Sequence, residues 1–265
     1  MSDKEIVKVN TMAEMASRGE QPDVLFFVGC AGSYDDRAKR ITKSFVKILN
    51  ALKINFAVLG TEESCNGDPA KRAGNEFLFQ MQAMGNIQVM NQYGIKRIVT
   101  TCPHCFNIIK NEYPALGGQY EVTHHSQFLQ ELMDKGILKV EGGSFKGQKI
   151  TYHDPCYLGR GNGEYEAPRS LIESLDSDFV EMKRNKEKGF CCGAGGAQIF
   201  KESEPGKKEI NVDRAEEAID TKADIIASGC PFCMLMLTDG VKTKGKEKNV
   251  KVLDLAELVA EANKL

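Results

Sequence analysis

Nine cysteines, Cys30, Cys65, Cys102, Cys105, Cys156, Cys191, Cys192, Cys230 and Cys233, stand out in this sequence of 265 residues. Thiolates are soft ligands for zinc and for iron–sulfur clusters, and they are nucleophiles once deprotonated, so these positions carry the chemistry open to the chain. Their spacing repeats. Cys156 follows Cys30 by 126 positions and Cys191 follows Cys65 by the same interval, while the pair Cys230/Cys233 follows Cys102/Cys105 by 128. A fixed offset of this kind marks an internal duplication. The settings match too: VTTCPHC in the first half and IASGCPFC in the second, each after an apolar run. The middle position differs, because ESCNG around Cys65 aligns with GFCCG around Cys191 and sets Asn66 opposite Cys192. The first half therefore has four cysteines and the second five. Small buried core residues would have no reason to recur in this way, and an odd total cannot pair completely as disulfides.

Short apolar runs rich in β-branched residues alternate with helix-period segments, the pattern of successive βα units. Strands are expected over residues 24–28, 56–59, 97–100 and 121–123 in the first half, and over 149–152, 179–182, 225–227 and 250–253 in the second. Helices are expected over 36–52, 70–92, 104–111 and 127–135, with the same alternation after residue 149. The fold class is α/β: two tandem similar units, each a small, mainly parallel four-stranded sheet flanked by helices. The expected organisation is an N-terminal arm over 1–22, a first cysteine-rich domain over 23–141, a glycine-rich linker over 142–148 and a second cysteine-rich domain over 149–265. All strands of a parallel sheet end on one edge, and ligands bind there where strand order switches. Cys30, Cys65 and Cys102 follow the first three expected strands of one unit, and Cys156, Cys191 and Cys230 those of the other. One crevice per half would thus gather thiols that are far apart in sequence.

Proline directly after Cys102 and Cys230 suits the first turn of a helix, whose free N–H groups and positive dipole end favour thiolate and sulfide charge. The run CCGAGGA, from Cys191 to Ala197, offers glycines able to take positive φ and aim N–H donors at sulfide. The order Cys156, Cys191-Cys192-Gly193, Cys230-Pro231-Phe232-Cys233 resembles the cysteine-rich CCG domain of the B-type subunit of heterodisulfide reductase and its relatives. The first half, Cys30, Cys65-Asn66-Gly67, Cys102-Pro103-His104-Cys105, is similar with one cysteine missing. The phrasing around VGCAGS, GTEESCNGDPA and CPFCMLML is most similar to bacterial iron–sulfur oxidoreductases associated with electron-transfer flavoprotein or acyl-CoA metabolism. In larger members of that group a membrane region and a ferredoxin-like domain precede this part; neither is recognisable in these residues.

The resemblance implies that Cys156, Cys191, Cys192, Cys230 and Cys233 hold a noncubane [4Fe-4S] cluster, with Cys191 and Cys192 as its catalytic element. Cys30, Cys65, Cys102 and Cys105 suffice for a [4Fe-4S] cubane and equally for tetrahedral zinc. The implied function is that of an iron–sulfur oxidoreductase subunit which moves electrons through cysteine-ligated clusters, reducing a disulfide or linking a flavoprotein to a quinone-type acceptor. Its partners would be other redox subunits, such as a flavoprotein or a ferredoxin-like protein. The rival reading is a zinc-stabilised assembly module of a redox complex that carries no electrons.

The remaining polar residues near the cysteines have plainer expected roles. His104, His124, His125 and His153 are expected as satisfied polar groups or as neighbours of ligands, with His104 the nearest to a ligand role. Asp68 and Asp154 are expected to cap turns, and Met234 and Met236 to wall off the cluster. The runs Lys183 to Lys188 and Lys242 to Lys248 are expected as solvated loops. With 35 basic and 37 acidic residues the net charge is -2, which gives no basic surface for a phosphate backbone, so no nucleic acid is expected. No stretch approaches the roughly 20 apolar residues of a membrane span, and the first residues lack the apolar core of a secretion signal. A cytoplasmic protein is expected, with peripheral membrane association only through a partner. No nucleophile–base–orienter triad supports hydrolysis, and no strand is followed by a dinucleotide glycine fingerprint.

Overall fold

The repeated apolar runs fold as two parallel four-stranded sheets of the same topology. A computed structural model describes residues 8–141, 143–202 and 205–265. Residues 1–7 of the expected arm and Gly142 of the expected linker lie outside the described residues. In chain order the first half holds α1 (Met12–Ser17), β1 (Val24–Phe26), α2 (Gly29–Tyr34), α3 (Ala38–Ala51), β2 (Phe56–Ala57), α4 (Asp68–Arg72), α5 (Glu76–Gln92), β3 (Arg97–Thr100), α6 (Pro103–Asn111), β4 (Glu121–His124) and α7 (His125–Asp134). The second half holds β5 (Lys149–His153), α8 (Gly159–Asn162), α9 (Glu166–Glu173), β6 (Asp178–Val180), α10 (Ile210–Asp220), β7 (Ile225–Ser228), α11 (Pro231–Thr243), β8 (Lys251–Asp254) and α12 (Leu255–Ala262).

Strand order is β2-β1-β3-β4 in one sheet and β6-β5-β7-β8 in the other, with every pair parallel. The connection after β1 runs to one edge of its sheet and that after β3 to the other, and likewise after β5 and β7, so the order switches between β1 and β3 and again between β5 and β7. A crevice opens at the carboxyl edge of such a switch point.

Several elements differ from their expected bounds. The helix expected over 70–92 is two helices, because Gly74 takes φ +85° and Asn75 caps α5 by accepting from the Leu78 N–H at 3.1 Å. β2 is only two residues long, since the chain turns into a 3-10 segment at Gly60–Glu62. Thr11, within the segment read as an arm, bridges in parallel to Val58, and Met12 and Met15 are buried.

The halves share their hydrophobic interior. One contiguous core joins Phe26, Phe45 and Leu129 of the first half to Ile150, Leu171 and Leu258 of the second. Phe145, within the glycine-rich segment read as a linker, is also buried in it. Polar contacts cross as well: Arg37 makes a two-pronged ion pair with Glu257 at 2.6 and 2.8 Å and donates to the Val252 carbonyl at 2.9 Å. A fork of this kind fixes orientation as well as distance. Among the described residues, no helix is long and apolar enough to cross a membrane.

Truncating an aromatic ring in a close-packed core costs about 3–5 kcal/mol. Phe145→Ala should therefore accelerate hydrogen exchange in the strands of both sheets together. Acceleration confined to the second sheet would show that the halves unfold independently.

Candidate functional site

Each C-P-x-C element begins a helix. Cys102 and Cys230 are the N-cap residues of α6 and α11, Pro103 and Pro231 occupy the first turn, and Cys105 and Cys233 follow on the same turn. The spacing thus puts two sulfurs beside the free N–H groups of one helix end. Cys30 lies in the first turn of α2, and Cys65 on the loop before α4. Gly29 allows the close approach of these segments: at φ +77°, a Cβ there would stand 2.9 Å from the Cys105 sulfur.

All four first-half cysteines gather. Cys30 and Cys65 share a hydrogen bond, as do Cys102 and Cys105, and the two pairs lie close enough to perturb each other electrostatically. The bond from Cys30 holds the Cys65 thiol down at about 6, while the same contact and burial push Cys30 up. Asn66 is in the pocket too, donating from Nδ2 to the Cys105 sulfur at 2.8 Å. The amide thus occupies the place of the fifth thiol and gives that sulfur a donor.

In the second half Cys156, Cys191, Cys192, Cys233 and Cys230 form a chain of successive sulfur contacts. Hydrogen bonds from Cys156 and Cys192 drop the Cys191 thiol far below its ordinary range, and the Gly193 N–H adds a donor at 3.2 Å. Gly193 takes φ +94° there, as the sequence pattern requires of a nest-like turn. Burial pushes the Cys230 thiol up, but bonds from Cys233 and His104 outweigh it and leave it at about 5. Thiolate is thus favoured at Cys65 in the first group and at Cys191 and Cys230 in the second, while contacts with neighbouring sulfurs and burial push Cys30, Cys105, Cys156, Cys192 and Cys233 up.

The two groups adjoin. Cys102, Cys105, Cys192, Cys230 and Cys233 belong to one apolar cluster, so the expected pair of separate crevices is a pair of neighbours. His104 stands between them: its Nδ1 donates to Asp68 Oδ2 at 2.8 Å, and the same ring bonds to Cys230 of the other half. Tyr157 and Phe232 flank the ring edge-to-face at 4.7 and 4.9 Å. Burial opposes its charge, yet Asp68 and Cys230 hold its pKa well above that of an ordinary imidazole. A cavity lined by Cys30, Asn66, Cys102, His104 and Phe232 meets a second lined by His104, Ala194, Ile199 and Phe200.

Other expectations are corrected by the geometry. Asp68 and Asp154 anchor ion pairs: Asp68 takes His104 and Arg72, and Asp154 takes Arg169 at 2.9 and 3.1 Å as well as the Lys186 N–H at 2.8 Å. The latter contacts tie the strand-end loop before Cys156 to the loop leading to Cys191. Met234 is buried in the core shared by the sheets, whereas Met236 packs beside the cysteine cluster. Arg184, within a run expected to be solvated, stacks on Phe190 at 3.8 Å and pairs with Glu217. His124 and His125 are satisfied across the halves, His124 at the Gly229 carbonyl (2.9 Å) and His125 at Asp254 (3.0 Å).

Glu63 belongs to no motif that singles it out from sequence. Its carboxylate accepts the Val28 and Gly29 N–H groups at 3.0 and 2.6 Å, joining the loops that carry Cys65 and Cys30. Desolvation pushes it up to about 7 despite these bonds. Its place two residues before Cys65 is the one available signal.

With this geometry established, the comparison with known families is decisive: the CCG cysteine-rich domain matches residues 24–110 and again 150–238. The chain belongs to the CCG cysteine-rich domain family. Both matched copies contain the cysteine set of their half. Among CCG relatives, it is 44% identical over 256 residues to the probable iron-sulfur-binding oxidoreductase FadF of Bacillus subtilis, covering 96% of this chain and 36% of that protein. It is 42% identical over 250 residues to the EtfAB:quinone oxidoreductase of Syntrophomonas wolfei, covering 92% of this chain and 35% of that one. The D-type subunit of the dihydromethanophenazine-linked heterodisulfide reductase of Methanosarcina barkeri is 37% identical over 254 residues, covering 92% of this chain and 59% of that one. The chain spans little more than a third of the first two.

The donor sets suit soft metal chemistry. Four thiols and an amide donor meet in one CCG copy, five thiols in the other, and a ring nitrogen of His153 lies within 4.8 Å of the Cys192 and Cys233 sulfurs. Gly29→Ala should lower the metal bound by the first half while sparing the second, because the added Cβ meets Cys105 and φ becomes strained by about 1–2 kcal/mol. Metal-to-protein ratios measured on Gly29→Ala, with and without the second-half thiols, check this. Equal loss from both halves would contradict it.

Proposed function

We propose that the chain is the cluster-bearing electron-transfer part of an iron–sulfur oxidoreductase, acting between a flavoprotein and a quinone-type acceptor. Two thiol groups that adjoin across His104 carry this reading, because electrons entering at one buried centre would have a neighbouring centre within the same apolar cluster. The names of the relatives support it: one is an EtfAB:quinone oxidoreductase, another an iron-sulfur-binding oxidoreductase. Disulfide reduction, the chemistry named for the heterodisulfide reductase relative, is the second use of the same site.

In this reading residues 23–141 and 149–265 are the two units. Cys156, Cys191, Cys192, Cys230 and Cys233 hold a noncubane [4Fe-4S] cluster, and the Cys191–Cys192 pair is its catalytic element. Cys30, Cys65, Cys102 and Cys105 hold a [4Fe-4S] cubane, zinc being the alternative. When bound, the clusters supply one-electron chemistry at potentials set by hydrogen bonds and exposure. The chain's own residues do the rest. Asn66 and the Gly193 N–H stabilise charge on sulfur, Phe232 and Met236 keep water away, and Asp68 keeps the His104 ring oriented between the two groups. Partners are a flavoprotein or ferredoxin-like protein, in the cytoplasm, with any membrane contact made through them.

Anaerobically purified protein should be brown, contain iron and acid-labile sulfide, and bleach with dithionite. Cys192→Ser should abolish or alter the electron paramagnetic resonance signal of the second-half centre while the first-half metal stays bound. A colourless protein with stoichiometric zinc would establish the assembly-module reading instead.

A further inference from the structure

His153 ends β5, three residues before Cys156, and its ring is completely enclosed. One ring nitrogen has a defined partner. Arg214, itself fully buried on α10, donates from Nε to His153 Nδ1 at 2.9 Å. A guanidinium has only donors, so Nδ1 must accept and the ring proton must sit on Nε2. Arg214 is held in turn by the Arg184 carbonyl and by Glu217, each at 2.9 Å from Nη1. The tautomer is therefore imposed by a guanidinium that packing and an ion pair hold in place.

Nε2 is buried and has no hydrogen-bond partner among the described protein atoms. Buried N–H groups are rarely left unpaired because the lost hydration is not recovered, so its partner is expected at that spot. Sulfurs are the candidates close by, since one ring nitrogen stands within 4.8 Å of both the Cys192 and the Cys233 sulfur. An N–H cannot also be a metal ligand through the same nitrogen.

We infer that His153, its proton fixed on Nε2 by Arg214, donates a hydrogen bond to a sulfur of the second-half centre and thereby raises the reduction potential of that centre alone. The inference rests on the iron–sulfur reading above. Donation to sulfur stabilises the extra negative charge of the reduced state, which is the direction that raises a cluster potential. The duplication shows why only one centre is affected: the 126-residue offset that aligns Cys30 with Cys156 aligns Phe27 with His153. A phenyl ring has no N–H to offer. Arg214 acts through His153 as a positioning residue.

Protein labelled with ¹⁵N-histidine, reduced so that the second-half centre is paramagnetic, should give a weak nitrogen coupling of the N–H···S kind in pulsed electron paramagnetic resonance. His153→Leu should remove that coupling and lower the midpoint potential of the second-half signal while leaving the first-half signal in place. His153→Gln, which keeps an N–H donor, should recover part of the shift. Arg214→Met should shift the same signal downward, and the double variant should shift no further than either single one, because both act through one bond. A strong coupling typical of direct nitrogen ligation would overturn the inference, as would no coupling, or an unchanged potential in His153→Leu. Iron, zinc and sulfide assays on the same wild-type batches separate this failure from that of the iron–sulfur reading, which alone predicts a cluster in unaltered protein.

Discussion

Crowding nine sulfurs into two adjoining groups, five of the cysteines buried and four half-buried, concentrates negative charge where water solvates it poorly, and the surrounding structure is organised to offset that charge. Uncompensated thiolates in such a medium would be neutralised or would push the loops apart. Compensation comes from fixed dipoles and donors. The amino ends of α6 and α11 sit under Cys102/Cys105 and Cys230/Cys233, and Gly193 and Asn66 aim N–H groups at sulfur. His104 brings a buried charge sustained by Asp68, reaching from one half to Cys230 of the other.

The duplicated frame makes the divergence of the halves informative. Where the second copy has Cys192, the first has an amide that occupies the pocket and donates to a thiol; where the second has His153, the first has Phe27. The first difference leaves the first group one thiol fewer and gives it an amide donor instead; the second leaves it without the imidazole. A four-thiol group beside a five-thiol group is an arrangement suited to division of labour, and it arises on one βα framework with the same strand order in both copies. The shared core and the Arg37–Glu257 pair keep the two sites in a fixed relation.

Much of this is legible in the sequence because local rules govern the features concerned. Strand-end cysteines at a nearly constant offset, 126 or 128 residues, identify both groups, and proline after cysteine marks the two helix starts. Helix interruption at Gly74–Asn75 also has a local signal, a glycine followed by a capping residue, that apolar periodicity overrides. The rest depends on residues distant in the chain. Asp154 with Arg169, Asp68 with His104, and Glu63 with the Gly29 N–H become pairs only when loops from different strands meet. Phe145 lies in a stretch whose glycines suggest a linker, and only the juxtaposition of the sheets makes it core. His153 reads in sequence as one more polar neighbour; its orphaned Nε2 and its bond to Arg214 are visible only in three dimensions.

The most direct measurement is anomalous X-ray diffraction from anaerobically grown crystals, recorded at the iron and zinc absorption edges. The account predicts two adjacent metal peaks, iron among Cys156, Cys191, Cys192, Cys230 and Cys233, and iron or zinc among Cys30, Cys65, Cys102 and Cys105. Zinc at the five-thiol group, or no metal at either, would contradict it.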